Sequence, residues 1–398
     1  MRHVAGVMAW LLLAPQISSA AMPAASASTW TISGNDAVFS YTFPRSLATT
    51  LATPGAPSPS VEAIAHYVFS RTSARRQAQP CEAVDQGYDL GRIDTRYLGP
   101  DLLSFEIFFR CAAGPGPLLL RNDSFFDRSP GQLGIARVRV AGRSPVLRLL
   151  TAGHTGIAVG TGPVPASPAG AYLWLGCRHV LAGALQLCMA VALMLLIRNR
   201  RDLLLLACGL AGGYAVAAAA GAAGWFLQPA PSQAFRGLLL LFGGALLVTR
   251  GSGRPRIAAI GLLLLAGVAA AIAASLGRSD AALCLLGAGV AGALTVPLTV
   301  TSAGMSPRWL LPAVGILAGG ADGFSFGSLF APLHAVVSPG MAQLLAFNLG
   351  ALLGVAAAIA AAAAARGLLL RRFGVAPVSA ELVTAALVAA GAFSILAI

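Results

Sequence analysis

The sequence predicts a mixed fold: an extracytoplasmic all-β domain, then a polytopic α-helical membrane domain of about eight helices, seven at the fewest. Three observations predict it. Only 10% of the 398 residues are charged and 57% are hydrophobic, with mean hydropathy +0.76, whereas soluble domains carry roughly 25% charge. Apolar runs of membrane-spanning length begin only beyond residue 170. Ten of the fourteen acidic residues lie between residues 25 and 165, where the pattern is that of strands rather than helices.

The elements follow in chain order. Residues 1–22 read as a secretory signal peptide: Arg2 precedes an apolar core from Val4 to Ala14, followed by small residues around Ala20. That core is shorter than the ~20 residues a membrane span needs, which argues against a retained anchor. Residues 23–165 then form the exported domain. "STWTISGNDAVFSYTFP" is two β-rich stretches around a Gly-Asn-Asp turn, and "LLSFEIFFRC" is a third. In "IARVRVAG", Val138 and Val140 alternate with Arg137 and Arg139, a strand with one wet face. Cys81 and Cys111 both fall in this exported stretch, where oxidation permits a disulfide. Cys177, Cys188, Cys208 and Cys284 lie in apolar runs without CxxC spacing and read as small core residues. A Gly/Pro-rich linker, "GHTGIAVGTGPVPASPAG", leads into the membrane domain, residues 166–398.

Eight apolar spans are expected there, over 171–197, 203–228, 234–249, 257–276, 281–302, 309–330, 341–365 and 378–398. With the β-domain outside the cytoplasm, the inner gaps carry ten of the thirteen Arg beyond residue 170, as the positive-inside rule requires. The expected location is therefore the bacterial inner membrane, multi-pass, with the N-terminal domain and the C-terminus outside. The net charge of +13 does not mark a nucleic-acid binder. Its Arg residues are scattered between apolar segments, form no basic stripe and come with no Lys.

Ionisable groups at membrane depth are expensive and mark function. Asp202 and Asp280 are expected in loops, Glu381 near a helix start and His334 in an outer loop. Asp322 alone stands well inside a span, between glycines, in "ILAGGADGFSFGSLF". His179 lies about two turns into the first helix, in "YLWLGCRHVLAGALQL"; it reads either as an interfacial histidine or as a metal ligand. No nucleophile–base pair, phosphate loop or dense His/Cys/acid cluster is visible, so no enzyme is expected.

These motifs carry a resemblance. The first helix of the HupE/UreJ family of nickel permeases opens with Tyr-Leu-x-Leu-Gly and continues His-Ile-Leu-x-Gly-x-Asp-His. The present chain is similar at Tyr172 to Gly176, at His179 and at Gly183, but has Leu185 and Gln186 at the Asp and second His positions. In "GGADGFSF", Gly323 and Phe326 match the family's sixth-helix motif, while Asp322 stands at a His position. In "FNLGALLGV", Phe347, Asn348, Gly350 and Gly354 match, with Leu352 and Val355 in place of Glu and Gln. Gly212 occupies a further His position, and "FFD" before the linker also resembles the family. The subgroup with a signal peptide and an extracytoplasmic β-domain fits best.

The resemblance implies Ni²⁺ or Co²⁺ as a transported ion, His179, Asp322 and Asn348 as the remaining metal-site residues, and Gly183, Gly323, Gly350 and Gly354 as structural glycines. One imidazole, one carboxylate and one amide make a poor Ni²⁺ site. That leaves a second expectation: a non-transporting membrane protein whose exported domain binds a protein partner or assists metalloenzyme assembly.

Overall fold

The computed structural model describes residues 25–52, 59–84, 102–225 (except 115, 161, 163, 165 and 198), 310–330, 333 and 340–373, with isolated positions between 237 and 275 and at 391. The chain divides into two compact units, one of Ala21–Ala171 with Leu329–Pro339 and the other of the remaining residues. The signal-peptide residues lie outside the described residues.

The N-terminal unit is built from ten strands: β1 (Ala25–Ser33), β2 (Asp36–Pro44), β3 (Thr72–Arg76), β4 (Gln79–Pro80), β5 (Glu82–Ala83), β6 (Leu102–Arg110), β7 (Leu118–Asn122), β8 (Leu133–Val140), β9 (Val146–Leu150) and β10 (Gly156–Val159). A six-stranded sheet has the order β5-β6-β2-β1-β8-β9, and a four-stranded sheet the order β10-β7-β3-β4. The Gly-Asn turn expected after β1 is present, with Gly34 at φ +61°, where a residue without Cβ is favoured. β1 and β2 pair antiparallel, Trp30 opposite Phe39, and β1 also pairs β8 in parallel, Trp30 opposite Val138.

Alternation along these strands sends Trp30, Phe39, Tyr41, Phe43, Phe105 and Phe109 to one buried face. The rings pack closely, with centroids 4.4 Å apart for Trp30–Phe39 and 4.8 Å for Phe43–Phe125. Cys81 and Cys111 form a disulfide whose partners are 30 residues apart in sequence.

This unit is not all-β. A short helix α1 (Arg45–Ala48) follows β2, and an 11-residue helix α2 (Val61–Arg71) precedes β3. Ser60 caps α2 by accepting from the Ala63 N–H at 3.2 Å, Glu62 stands in its first turn and Arg71 in its last, matching the helix dipole at both ends. Ile64, Ala65 and Val68 bury one face into the core shared by the two sheets. Beside α2, the Tyr67 hydroxyl donates to Asp127 and accepts the Phe125 N–H, while Arg71 reaches the other Asp127 oxygen at 2.9 Å.

The second unit has five described helices: α3 (Ala169–Ala182), α4 (Ala184–Leu196), α5 (Arg200–Ala222), α6 (Leu310–Phe330) and α7 (Met341–Phe373). α5 and the Met341–Leu368 part of α7 are long and apolar enough to cross a membrane, and α3 with α4 makes a third candidate if that bent pair is one span. The seven helices of the described residues include two in the β-rich unit. The expected spans 234–249, 257–276, 281–302 and 378–398 lie outside the described residues, apart from isolated positions.

Three boundaries differ from the sequence expectation. The first span is broken: α3 and α4 meet at Gly183 with a bend of 79°. Gly183 is extended there (φ −89°, ψ 115°), and a Cβ on it would run into the Gln186 side chain and the His179 carbonyl. α5 stops at Ala222 because Gly224 turns left-handed (φ +83°) and its N–H caps the Gly221 carbonyl. α7 continues past residue 365, since Arg366 and Arg371 end the apolar stretch without ending a helix. Asp202, expected in a loop, sits in the first turn of α5, and its N–H is capped by Asn199 at 2.9 Å. Cys208 is exposed rather than buried in the core.

Glycines let these helices touch backbone to backbone. A Cβ on Gly209 or Gly213 would strike α6 at Pro312 or Ile316, and one on Gly315 or Gly319 would strike α5 at Leu206 or Leu210. Gly323 abuts Tyr214 and Ala217. On the second seam, Gly350 lies against the Leu173 carbonyl and Gly354 against Cys177 and Val180. Contacts on both seams advance in the same sense along the two chains, so α5 runs parallel to α6, and α3 to α7. Small residues four apart are the means by which helices approach closely where no water drives them together.

Candidate functional site

The seams bring one polar side chain from each of the five helices into the apolar interior. α3 supplies His179, α4 Gln186, α5 Tyr214, α6 Asp322 and α7 Asn348. Asp322 is fully buried, and Gln186, Tyr214 and Asn348 are at most 5% exposed. Tyr214 donates its hydroxyl hydrogen to Asp322 Oδ2 at 2.7 Å. His179 Nε2 stands 3.7 Å from Asp322 Oδ1, too far for a hydrogen bond but close enough for charge attraction or a shared ligand. The Gln186 amide Nε2 lies 3.1 Å from His179 Nε2. Asn348 Nδ2 donates to the Tyr214 carbonyl at 3.0 Å, so that Tyr214 is held at its backbone by α7 and at its hydroxyl by α6.

Aromatic rings wall this cluster. Phe326 stacks on Phe347 at 4.3 Å, Tyr172 meets Phe326 edge-on at 6.3 Å, and His179 lies 5.7 Å from Phe347. A carboxyl group in such a place is costly unless its charge is met by a donor, a proton or a cation. The Tyr214 hydroxyl is such a donor to Oδ2, and the His179 imidazole stands beside Oδ1.

Of the residues singled out in the sequence, His179 and Asp322 face each other directly, and Asn348 joins them through Tyr214. Gly323, Gly350 and Gly354 lie on the seams that allow the approach, and Gly183 lies at the break that turns Gln186 towards His179. His334, Asp280, Glu381 and Cys284 lie outside the described residues. Tyr214 was not read from the sequence, although it is the only aromatic side chain on an otherwise Ala/Gly/Leu-rich helix. A lone mid-span Tyr needs a partner for its hydroxyl, and that was the available signal. Gln186 was read only as a lost histidine.

Among the described residues, no three His, Cys, Asp or Glu side chains come together. The donors at hand are one imidazole nitrogen and several oxygens, which is a weak match for Ni²⁺ or Co²⁺. No protein-family model matches this chain, and no curated protein matches it either.

Proposed function

We propose that this chain is a divergent HupE/UreJ-like integral membrane protein that moves a divalent metal ion, with Ni²⁺ and Co²⁺ the cargo the resemblance implies. In this reading residues 1–22 are a signal peptide, the β-rich domain stands outside the cytoplasm, and about eight helices cross the inner membrane. It is a transporter and not an enzyme. The observation that supports it is the fully buried Asp322 carboxyl facing His179 at 3.7 Å among apolar helices. Buried ionisable groups in such bundles mark ion paths. A cation from the outer side meets His179 and is handed to Asp322.

The second reading is a non-transporting membrane protein whose exported domain binds a protein partner or helps assemble a metalloenzyme. The shortage of metal-binding side chains at the cluster favours it. Ni²⁺ and Co²⁺ uptake by cells expressing the protein decides between the two, run beside a His179→Ala/Asp322→Ala double variant at equal expression. Uptake that disappears in the variant is the expected result. Uptake no higher than in empty-vector cells, with the protein in the membrane, overturns transport of these two ions and favours the second reading.

A further inference from the structure

The break in the first span changes the chemistry of the cluster. On an unbroken helix, residues 179 and 186 stand about 10 Å apart along the axis, beyond the reach of an imidazole–amide contact. The 79° bend at Gly183 brings them to 3.1 Å. Residue 183 has no side chain, and the Gln186 amide oxygen lies where its Cβ would be. Gln186 is thus placed in the site by the backbone, and it is 5% exposed.

His179 Nε2 is the hub of this arrangement, 3.1 Å from the Gln186 amide and 3.7 Å from Asp322 Oδ1. Two ligands of one first-row cation, each bonded at roughly 2.1 Å, stand about 3 to 3.5 Å apart. Both distances from His179 Nε2 lie within a few tenths of an ångström of that spacing. Rotating the Gln186 amide by half a turn exchanges its nitrogen for its oxygen at the same place. The donor set is then one imidazole nitrogen, one carboxylate oxygen and one amide oxygen, with water or the Tyr214 hydroxyl completing the shell. Nitrogen and sulfur donors favour Ni²⁺ and its neighbours, whereas carboxylate, carbonyl and water oxygens suit Mn²⁺.

We propose that Gln186 is a cation ligand placed by the break at Gly183, and that the resulting oxygen-rich site takes a hard divalent cation of the Mn²⁺ class in preference to Ni²⁺. This rests on the reading of the chain as a divalent-cation permease and replaces the Ni²⁺ and Co²⁺ cargo that the resemblance implies with a harder ion.

The test is Mn²⁺ titration of the purified full-length protein in detergent, followed by loss of the free-ion electron paramagnetic resonance signal, with Ni²⁺ as competitor. The protein is expected to bind one Mn²⁺ per chain. Gln186→Leu weakens it about tenfold or more, in the range by which a lost ligand-shell contact lowers metal affinity. Gln186→Glu, which keeps an oxygen at the same position, binds Mn²⁺ more tightly than Gln186→Leu. Gln186→His adds a second imidazole and moves the Ni²⁺-to-Mn²⁺ competition ratio towards Ni²⁺ by about tenfold. Unchanged Mn²⁺ affinity in folded Gln186→Leu overturns the proposal. So does stoichiometric Ni²⁺ binding without Mn²⁺ binding, which leaves the permease reading standing. Binding of neither ion by folded protein overturns both.

Discussion

The two units solve the same packing problem in opposite ways. In the β-rich unit, contact comes from size: Trp30, Phe39, Tyr41 and Phe43 fill the space between sheet and cover, and each is at most 1% exposed. In the helical unit, contact comes from the absence of side chains, with Gly209, Gly213, Gly315, Gly319, Gly350 and Gly354 letting backbones meet. Water drives large apolar side chains inward, so the first unit gains most from bulk. Apolar helices in lipid gain little from burial and rely on close van der Waals approach, so the second gains from smallness. A volume change should therefore act with opposite sign in the two places.

The largest expected effect breaks the glycine seam. Gly213→Leu puts a branched side chain where Ile316 and Gly320 backbone atoms lie, and no monodisperse full-length protein should be recovered by fluorescence-detected size exclusion. A normal peak with unchanged protease resistance would mean that the seam tolerates separation. Next comes Trp30→Ala, which removes the ring at the centre of the sheet and should cost about 3–5 kcal/mol. Chemical denaturation resolves it, and the protease pattern of the helical unit should stay unchanged.

The smallest effect concerns charge rather than volume. Burial works to raise the Asp127 carboxyl's pKa, but the Tyr67 hydrogen bond and the Arg71 guanidinium outweigh it and hold the pKa below the usual carboxylate value. The ionised form is therefore the stabilising one. Its contribution is complete above the ordinary Asp value of about 4 and is lost as pH falls through the lowered value. Asp127→Asn should lower the denaturation midpoint modestly at pH 7, and the gap from the unmodified protein should close under acid conditions. A gap that persists at low pH would assign the effect to shape instead of charge.

Much of this was legible in the sequence because period and composition carry it. The β1–β2 hairpin followed from alternation around Gly34 and Asn35, and the helical half from apolar runs such as the expected span 203–228. Helix α2 was missed although Ser60 caps it and Glu62 stands in its first turn, because its buried face is only Ile64, Ala65 and Val68, little more than one turn of helical period. The break at Gly183 escaped because one glycine in an apolar run does not distinguish a packing contact from a bend. What decides it is the Gln186 side chain three residues on, folded against the glycine's bare face. Tyr214 escaped because a side chain's hydrogen-bond partner 108 residues away, Asp322, leaves no trace in local spacing.

The seams also bear on the order in which the chain assembles. Each seam joins helices far apart in sequence: 87 residues separate α5 from α6, and 158 separate α3 from α7. Contacts of such separation form late, because the entropy of closing the intervening stretch is lost before any contact offsets it. The Tyr214–Asp322 hydrogen bond, between residues 108 apart, closes only once α6 is in place. The polar cluster is therefore a product of assembly rather than its nucleus.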